Sequence, residues 1–326
     1  MDNNFQTRIE YQGPLKPLLE RVCADYGLGH YSSHEVVVVG YEDFNVVLTT
    51  SQNKYFVKIF ADFRNEQDCN RYVRIIQIAI NAGVAHPAIY KSNQNKNLYQ
   101  TMISTSVIRL CVFQFIEGKT FYALQTYPTL DELRFLAQQA SVINQIKVNI
   151  EPVYDSWAVV NFASEFNKAK HYLSKEDLVM VKPLVEEFLK IDLKQLPHYF
   201  VHGDIIKTNV IRSTNGQLYI LDFSVANYYP RIQELAVLFC DLFFNEKDPS
   251  DFKNCYETGL SEYQKNLKLT DKEISLIPLY TKAAHAMHIL CPSYEREVNN
   301  NYLSENNYWL ELGRAGLRFS QSHWHN

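Results

Sequence analysis

Three oxygen-bearing side chains in the middle of this 326-residue sequence have the types and spacing of a cation site. Asp204 and Asn209 lie in one loop between two short apolar segments, and Asp222 follows a third apolar segment. Strands flanking such a loop bring the three groups together, and oxygens of this kind are the ligands that magnesium prefers. Because magnesium keeps several waters, two protein ligands suffice, and Asp204 is then free to accept a hydroxyl proton. Each residue taken singly could instead be a turn residue.

The complete motif is His-Gly-Asp, an asparagine five residues after the aspartate, and a later Asp-Phe. It resembles the aminoglycoside phosphotransferase and choline kinase family, which is related to protein kinases. The resemblance implies that Asp204 is catalytic and that Asn209 and Asp222 hold magnesium on the phosphates of ATP. It also implies an α+β, bilobal protein kinase-like fold, with a small antiparallel β-sheet N-lobe and a large, mostly helical C-lobe. The loop of residues 40–45 looks nearest to the homoserine kinase and hydroxylysine kinase branches.

Upstream residues fit the same resemblance as a nucleotide site. Lys58 lies mid-strand between apolar neighbours, an expensive place for an ammonium group without an anion, and the resemblance makes it the lysine on the α- and β-phosphates. The alternative is a lysine that extends to solvent along the strand surface. Gly40 and Asn45 belong to the expected nucleotide loop. The main chain at Gln114 and Ile116 falls where the family hydrogen-bonds the edge of adenine.

The sequence departs from the family pattern at the partner of Lys58. The lysine of this fold usually pairs with a glutamate on the following helix, but the central turns of that helix contain no acid. Glu66, one turn nearer the helix start, is the expected partner at the cofactor site, and Asp68 is the second choice. If neither reaches the lysine, phosphate positioning is weaker.

Three further residues near the motif have expected roles. Lys207, inside the loop, could act in catalysis by neutralising the transferring phosphoryl group, or could face solvent. His202 is expected to be buried and to brace the loop by hydrogen bonding. Glu234 lies at a helix start where the family has an aspartate, and we expect it to be structural.

Composition and charge exclude several classes of function. A net charge of −4 without a basic run argues against nucleic acid as a partner. Six scattered cysteines without metal-ligand spacing predict buried free thiols. The N-terminus has no secretion signal, and the longest apolar stretch is too short for a bilayer, which predicts a cytoplasmic protein without membrane contact. The expected partner is a small molecule with a hydroxyl group; the oligomeric state is not predicted.

Hydrophobic periodicity divides the chain into a β-rich and an α-rich part. Residues 1–115 are expected to form the nucleotide-binding N-lobe, and residues 116–326 the helical C-lobe with the catalytic loop and substrate site. A helix is expected over residues 14–26, and the sheet of the N-lobe should be accompanied by one helix over residues 65–82. Its expected strands cover residues 35–39, 46–50, 55–60, 88–90, 98–103 and 109–115, with a hairpin joining 46–50 to 55–60. In the C-lobe, a capping box of Thr270 with Glu273 is expected to start a helix over residues 271–290.

The acceptor site and two other classes of function stay open from the sequence. Candidate substrate-facing residues, each with a core or surface alternative, are Asp155, Trp157, Tyr228, Tyr229, His285 and His288. A protein kinase-like enzyme is disfavoured because no A-P-E segment or long activation loop follows Asp222. A non-catalytic nucleotide-binding regulator stays open because the helix glutamate is missing. A metal-dependent hydrolase is poorly supported, since no His/Asp ligand cluster accompanies the motif.

Overall fold

The computed structural model describes residues 6–9, 11–37, 43–103 and 105–323. The chain forms two compact units, Met1–Lys119 with Ile211–Leu221, and Thr120–Val210 with Asp222–Asn326. An antiparallel sheet dominates the first unit and helices dominate the second, which confirms the predicted α+β class. The lobe boundary between residues 115 and 116 stays a prediction.

The first unit is built on a five-stranded antiparallel sheet of order β1-β2-β3-β5-β4. Its strands are β1 Tyr31–Val37, β2 Phe44–Thr50, β3 Lys54–Ile59, β4 Tyr99–Ile103 and β5 Ser106–Gln114. The predicted hairpin between β2 and β3 is confirmed. The predicted strand at residues 88–90 is wrong, because only a single bridge joins Ile89 to Phe113. Pro87, which precedes this segment, has no N–H group to extend the pairing.

Two helices accompany this sheet, α1 Leu15–Tyr26 and α2 Glu66–Asn81. The apolar face of α1 belongs to one buried cluster with the inward side chains of β2. A reciprocal capping box fixes the start of α2: the Asn65 side chain accepts the N–H of Asp68, and the Asp68 carboxylate accepts the N–H of Asn65. The helix stops at Ala82, before Gly83 with φ +89°.

The second unit is mostly helical. Its helices are α3 Phe121–Leu124, α4 Leu130–Asn144, α5 Phe162–Ala169, α6 Lys175–Phe188, α7 Ile232–Cys240, α8 Phe252–Asn266, α9 Asp271–Val298 and α10 Ser304–His323. Helix α9 packs against α7 and α10, and α4 packs against α8. The predicted capping box of Thr270 with Glu273 is confirmed at the start of α9. None of the helices in the described part of the chain has the length and apolar character needed to cross a membrane.

Short strands enclose the loop that carries the motif. β7 His198–Val201 ends directly before it and pairs antiparallel with β10 Asn227–Pro230. β8 Val210–Ser213 begins directly after it and joins β6 Gly118–Thr120 and β9 Leu218–Ile220 in a three-stranded sheet. Asp222 follows β9. The three strands predicted around the motif are therefore present. Their ends fix the backbone positions of Asp204, Asn209 and Asp222.

Candidate active site

Buried side chains hydrogen-bond the backbone at the start of the motif loop. His202 is fully buried, and its Nδ1 accepts the N–H of Asp204 at 3.1 Å. Gly203 has φ +82°, a conformation that favours glycine. The carboxylate of Glu234 accepts the N–H of His202 at 2.6 Å and that of Gly203 at 3.3 Å. As predicted, His202 braces the loop and Glu234 has a structural contact, so the backbone that presents Asp204 is fixed.

Glu234 is itself part of a buried hydrogen-bond chain. The Asn144 amide nitrogen donates to Glu234 Oε2 at 3.4 Å and to the Phe200 carbonyl at 2.8 Å, and Tyr263 donates its hydroxyl to Asn144 Oδ1 at 2.6 Å. Burial raises the pKa of Glu234 to about 7, although the donors from His202 and Asn144 favour the ionised form. The loop therefore rests on an acid whose charge state changes near neutral pH.

The structure brings Asp204, Asn209 and Asp222 together. The Asn209 amide nitrogen donates to Asp204 Oδ2 at 2.6 Å and to the Asp204 carbonyl at 3.1 Å. Asp222 adopts φ +60°, uncommon for a residue other than glycine, and its Oδ1 accepts the N–H of Ser224 at 3.1 Å. Burial raises the pKa of Asp204 well above its usual value, and the nearby carboxylates of Asp155 and Asp222 raise it further, whereas the Asn209 hydrogen bond lowers it.

This donor set fits a hard divalent cation. Because the nitrogen of Asn209 is used on Asp204, its side-chain oxygen is the atom left to bind a cation. Carboxylates that destabilise one another's charge are stabilised by a cation between them. Among the described residues no group of three or more His, Cys, Asp and Glu side chains is placed to hold a metal. The oxygens of Asn209 and Asp222 fit magnesium that is also held by waters and phosphate, and this role stays a prediction.

Lys207 is enclosed, so the predicted alternative of a solvent-facing lysine is wrong. It is 3% exposed, and its Nζ lies 4.3 Å from the ring centroid of Tyr127, 3.0 Å from the hydroxyl of Tyr308 and 3.7 Å from Glu246 Oε2. Its backbone N–H donates to Asp241 Oδ1 at 2.7 Å. Sequence reasoning missed these partners because they lie far along the chain and carry no local signal. A direct role of Lys207 at the phosphoryl group stays a prediction.

Lys58 has a different partner from the one predicted. Its Nζ lies 2.9 Å from Asp43 Oδ2, and the two residues are each 5% exposed. Glu66 is exposed on the first turn of α2, and Asp68 is engaged in the capping box with Asn65. The expected pairing with Glu66 or Asp68 is therefore corrected to Asp43. The buried ion pair also rules out a lysine that extends to solvent.

The hairpin register was the signal that could have identified Asp43. Asn45 lies directly opposite Lys58 in the β2–β3 ladder. Side chains alternate between the faces of a strand, so residue 43 is on the same side as residue 45. The Oδ1 of Asn45 is buried and has no hydrogen-bond partner among the described residues, and its nucleotide role stays a prediction. Gly40 lies outside the described residues.

At the expected adenine contact, one main-chain donor is already used. The N–H of Gln114 donates to the carbonyl of Ala88 at 2.8 Å. This bond leaves the Gln114 carbonyl and the main chain of Ile116, just beyond the end of β5, as the groups for the predicted adenine contact. Gly118 follows closely, and a Cβ atom there would lie 2.4 Å from the Arg212 carbonyl, so the chain requires glycine at this point.

Among the candidate substrate-facing residues, Asp155 interacts with the motif, whereas the tyrosines and histidines have other contacts or are buried in the interior. Asp155 is 6% exposed and interacts electrostatically with Asp204. The hydroxyls of Tyr228 and Tyr229 donate to main-chain carbonyls. His285 and His288 are buried in the interior, and burial lowers the pKa of His288 to about 3. Of these candidates Asp155 has the clearest link to the motif, and its backbone neighbour Trp157 donates its N–H to the Asp155 carboxylate at 2.8 Å.

Comparison with known proteins gives one consistent result. The model of the phosphotransferase enzyme family matches residues 34–263. A homoserine kinase from Zymomonas mobilis is 20% identical over 275 residues, 82% of each chain. Amicoumacin kinase in complex with AMP-PNP and Ca²⁺ has a TM-score of 0.68 at 14% identity, covering 99% of this chain and 97% of that one.

Two further solved structures share the fold. A microcompartment-associated aminopropanol kinase has a TM-score of 0.69 at 9% identity and covers 94% of this chain and 97% of its own. A choline kinase from Streptococcus pneumoniae has a TM-score of 0.61 at 16% identity and covers 94% of this chain and 99% of its own. At these identities the likeness concerns the fold, and the predicted protein kinase-like arrangement is confirmed.

Proposed function

This chain belongs to the phosphotransferase enzyme family and is a small-molecule kinase, and from that premise we propose that it transfers the γ-phosphate of ATP to a hydroxyl group of its acceptor. One observation carries the proposal. Asn209 hydrogen-bonds the Asp204 carboxylate, and the carboxylate of Asp222 lies close enough to raise the pKa of Asp204. A base and two cation-binding oxygens in one place are what phosphoryl transfer to a hydroxyl group requires.

The proposed roles of the individual residues are as follows. Asp204, fixed by the buried contacts of its loop, orients the acceptor hydroxyl and accepts its proton. Asn209 and Asp222 would hold magnesium, which would neutralise charge on the phosphates. Lys58 binds the α- and β-phosphates, and the main chain at Gln114 and Ile116 contacts adenine. Phosphoryl transfer requires little covalent chemistry from the protein, so positioning of the reactants and neutralisation of phosphate charge supply most of the rate enhancement.

An acceptor that also carries an amino group fits the chain best. The Asp155 carboxylate is nearly buried and adds negative charge beside Asp204, so an ammonium group on the acceptor would relieve that repulsion. The names of three relatives, homoserine, aminopropanol and choline kinase, each specify a molecule with both a nitrogen cation and a hydroxyl group. The proposed acceptor class is therefore amino alcohols, hydroxy amino acids or aminosugars.

The regulatory alternative is weakened by the ion pair of Lys58. Its main support was the missing glutamate on α2, which would have left the lysine without a partner. Asp43 supplies that partner at 2.9 Å. A buried, paired lysine supports a working phosphate site rather than a degenerate one.

The proposal is tested by measuring ADP release from ATP and magnesium with a panel of the three acceptor classes. Each amino acceptor is paired with its deaminated counterpart, for example aminopropanol with propanol, and GTP replaces ATP in a parallel series. We expect ADP release that needs an amino acceptor and disappears in Asp204→Ala. AMP-PNP binding without turnover of any acceptor would instead support the regulatory protein.

A further inference from the structure

The ammonium group of Lys58 is buried, and an acid and an aromatic ring fix its position. It lies 2.9 Å from Asp43 Oδ2 and 5.2 Å from the ring centroid of Tyr72. A lysine that is 5% exposed needs such a partner, because an unpaired buried charge is strongly unfavourable. An ammonium group has three donors, so a contact with Asp43 is compatible with a contact to a phosphate oxygen.

Asp43 is itself fixed, and its two oxygens have separate partners. Oδ1 accepts the backbone N–H of Ala61 at 3.0 Å and the Nε of Arg64 at 3.0 Å. Oδ2 binds Lys58. A carboxylate anchored through one oxygen presents the other in a defined position, as a residue that orients a lysine must.

Asp43 contacts two cations. The Nζ of Lys58 lies 2.9 Å from its Oδ2, and the Nε of Arg64 lies 3.0 Å from its Oδ1. Because the two cations bind different oxygens of one carboxylate, the carboxylate restricts the position of each.

We propose that Asp43 is the positioning residue of Lys58 and replaces the helix glutamate that α2 lacks. The inference rests on the proposed function, in which Lys58 binds the phosphates of ATP. Lys58 lies in β3, and Asp43 immediately precedes β2 on the same hairpin. The hydrogen-bond register of the hairpin sets the pair, so a movement of α2 would leave it intact, whereas a pair with Glu66 would break.

A double-mutant cycle on nucleotide affinity tests this role. Calorimetry with AMP-PNP and magnesium is carried out on the wild type, Asp43→Asn, Lys58→Met and the double variant. We expect Asp43→Asn to weaken binding by about 10–100-fold, the scale found when an outer-shell partner that orients a ligating group is removed. In the Lys58→Met background the same change should have no further effect, because Asp43 acts through the lysine. Asp62→Asn, which removes an exposed carboxylate nearby, is the control.

Thermal unfolding separates positioning from a loss of structure. If Asp43→Asn folds poorly, Asp43→Glu carries the test, since it keeps the charge and displaces the carboxylate by one methylene group. We expect Asp43→Glu to retain the wild-type unfolding temperature and to lose part of the affinity.

Three results would overturn the role of Asp43. They are unchanged or tighter AMP-PNP binding in Asp43→Asn, an equal loss in the Lys58→Met background, or a larger loss in Glu66→Gln. If the wild type binds AMP-PNP and turns over an acceptor, these results reject Asp43 alone. A wild type that binds no nucleotide would reject the proposed function together with the inference.

Discussion

At the scale of single residues, the position of the motif loop depends on the buried acid Glu234. Its carboxylate accepts the N–H groups of His202 and Gly203, directly before Asp204. Burial raises the pKa of Glu234 to about 7 from a usual 4.5. As the pH rises, Glu234 ionises in the unfolded chain before it ionises in the folded protein. The free energy of unfolding therefore falls between about pH 4.5 and 7 and does not fall further for this reason above pH 7. The loss is on the order of 3 kcal/mol.

Glu234→Gln tests this dependence. The variant should be less stable than the wild type at pH 5, because the amide presents one acceptor oxygen where the carboxyl group presents two. The difference should shrink as the pH rises to 7.5, since only the wild type carries the ionisation cost. Urea unfolding at several pH values measures both trends, and Glu257→Gln, at an exposed acid of α8, is the control. Parallel pH profiles for the wild type and Glu234→Gln would contradict the prediction.

Residues of the site differ in how far the sequence could predict them. Asp204 and Asn209 are five positions apart, and short apolar strands flank them, so local patterning was enough to place them in one loop. The partner of Lys58 was not predicted, although the hairpin register that places Asp43 on the same side can be derived by counting residues from the turn. Glu246 and Tyr308 reach Lys207 through tertiary packing, which no local pattern encodes.

At the scale of elements, the capping box of Thr270 with Glu273 and the strands around the site were predicted correctly, and helix ends less so. Helix α9 was expected to end at residue 290, before Pro292, but it continues to Val298. A proline removes one N–H donor and bends a helix, yet burial on neighbouring helices can retain the turns beyond it. Helix α9 packs against α10, Pro292 and Ser293 are buried, and the side-chain amide of Asn306 in α10 donates to the Pro292 carbonyl at 3.1 Å.

Gly316 of α10 faces α9 without room for a side chain. A Cβ atom there would lie 2.1 Å from ring atoms of His285. Gly316→Ala should therefore lower the free energy of unfolding by about 1–3 kcal/mol, the usual cost of overpacking. Chemical denaturation measures the change. The double variant with His285→Ala should lose less than the sum of the single losses, because the smaller side chain makes room. Strict additivity, or no effect of Gly316→Ala, would refute the contact.

At the scale of the whole molecule, the six cysteines are free, as predicted. Five are buried, and only Cys255 is partly exposed. Burial raises the pKa of Cys69 to about 12 and that of Cys255 to about 11, which keeps the thiols protonated and slow to react. Free thiols with these properties contribute to packing and not to a covalent framework.

Thiol titration checks this state. With Ellman's reagent at pH 8, the native protein should show at most one reactive thiol, and Cys255→Ser should remove it. In guanidinium chloride all six should react without prior reduction. Two or more rapidly reacting thiols in the native protein, or fewer than six in the denatured protein, would show that the interior differs from this description.

The division of the chain into a sheet unit and a helical unit was predictable, because strand and helix periodicities occupy different parts of the sequence. The return of Ile211–Leu221 to the first unit was not predicted, since a short apolar strand carries no information about which sheet it joins.

The most direct test of the proposed function is acceptor-dependent phosphoryl transfer by Asp204→Asn, which keeps the shape of the side chain and removes the base. With a substrate identified for the wild type, kcat should fall by about 10²–10⁴-fold, the usual contribution of a general base, while AMP-PNP affinity and thermal stability stay close to the wild type. Wild-type turnover by Asp204→Asn would contradict the assignment of Asp204 as the catalytic base.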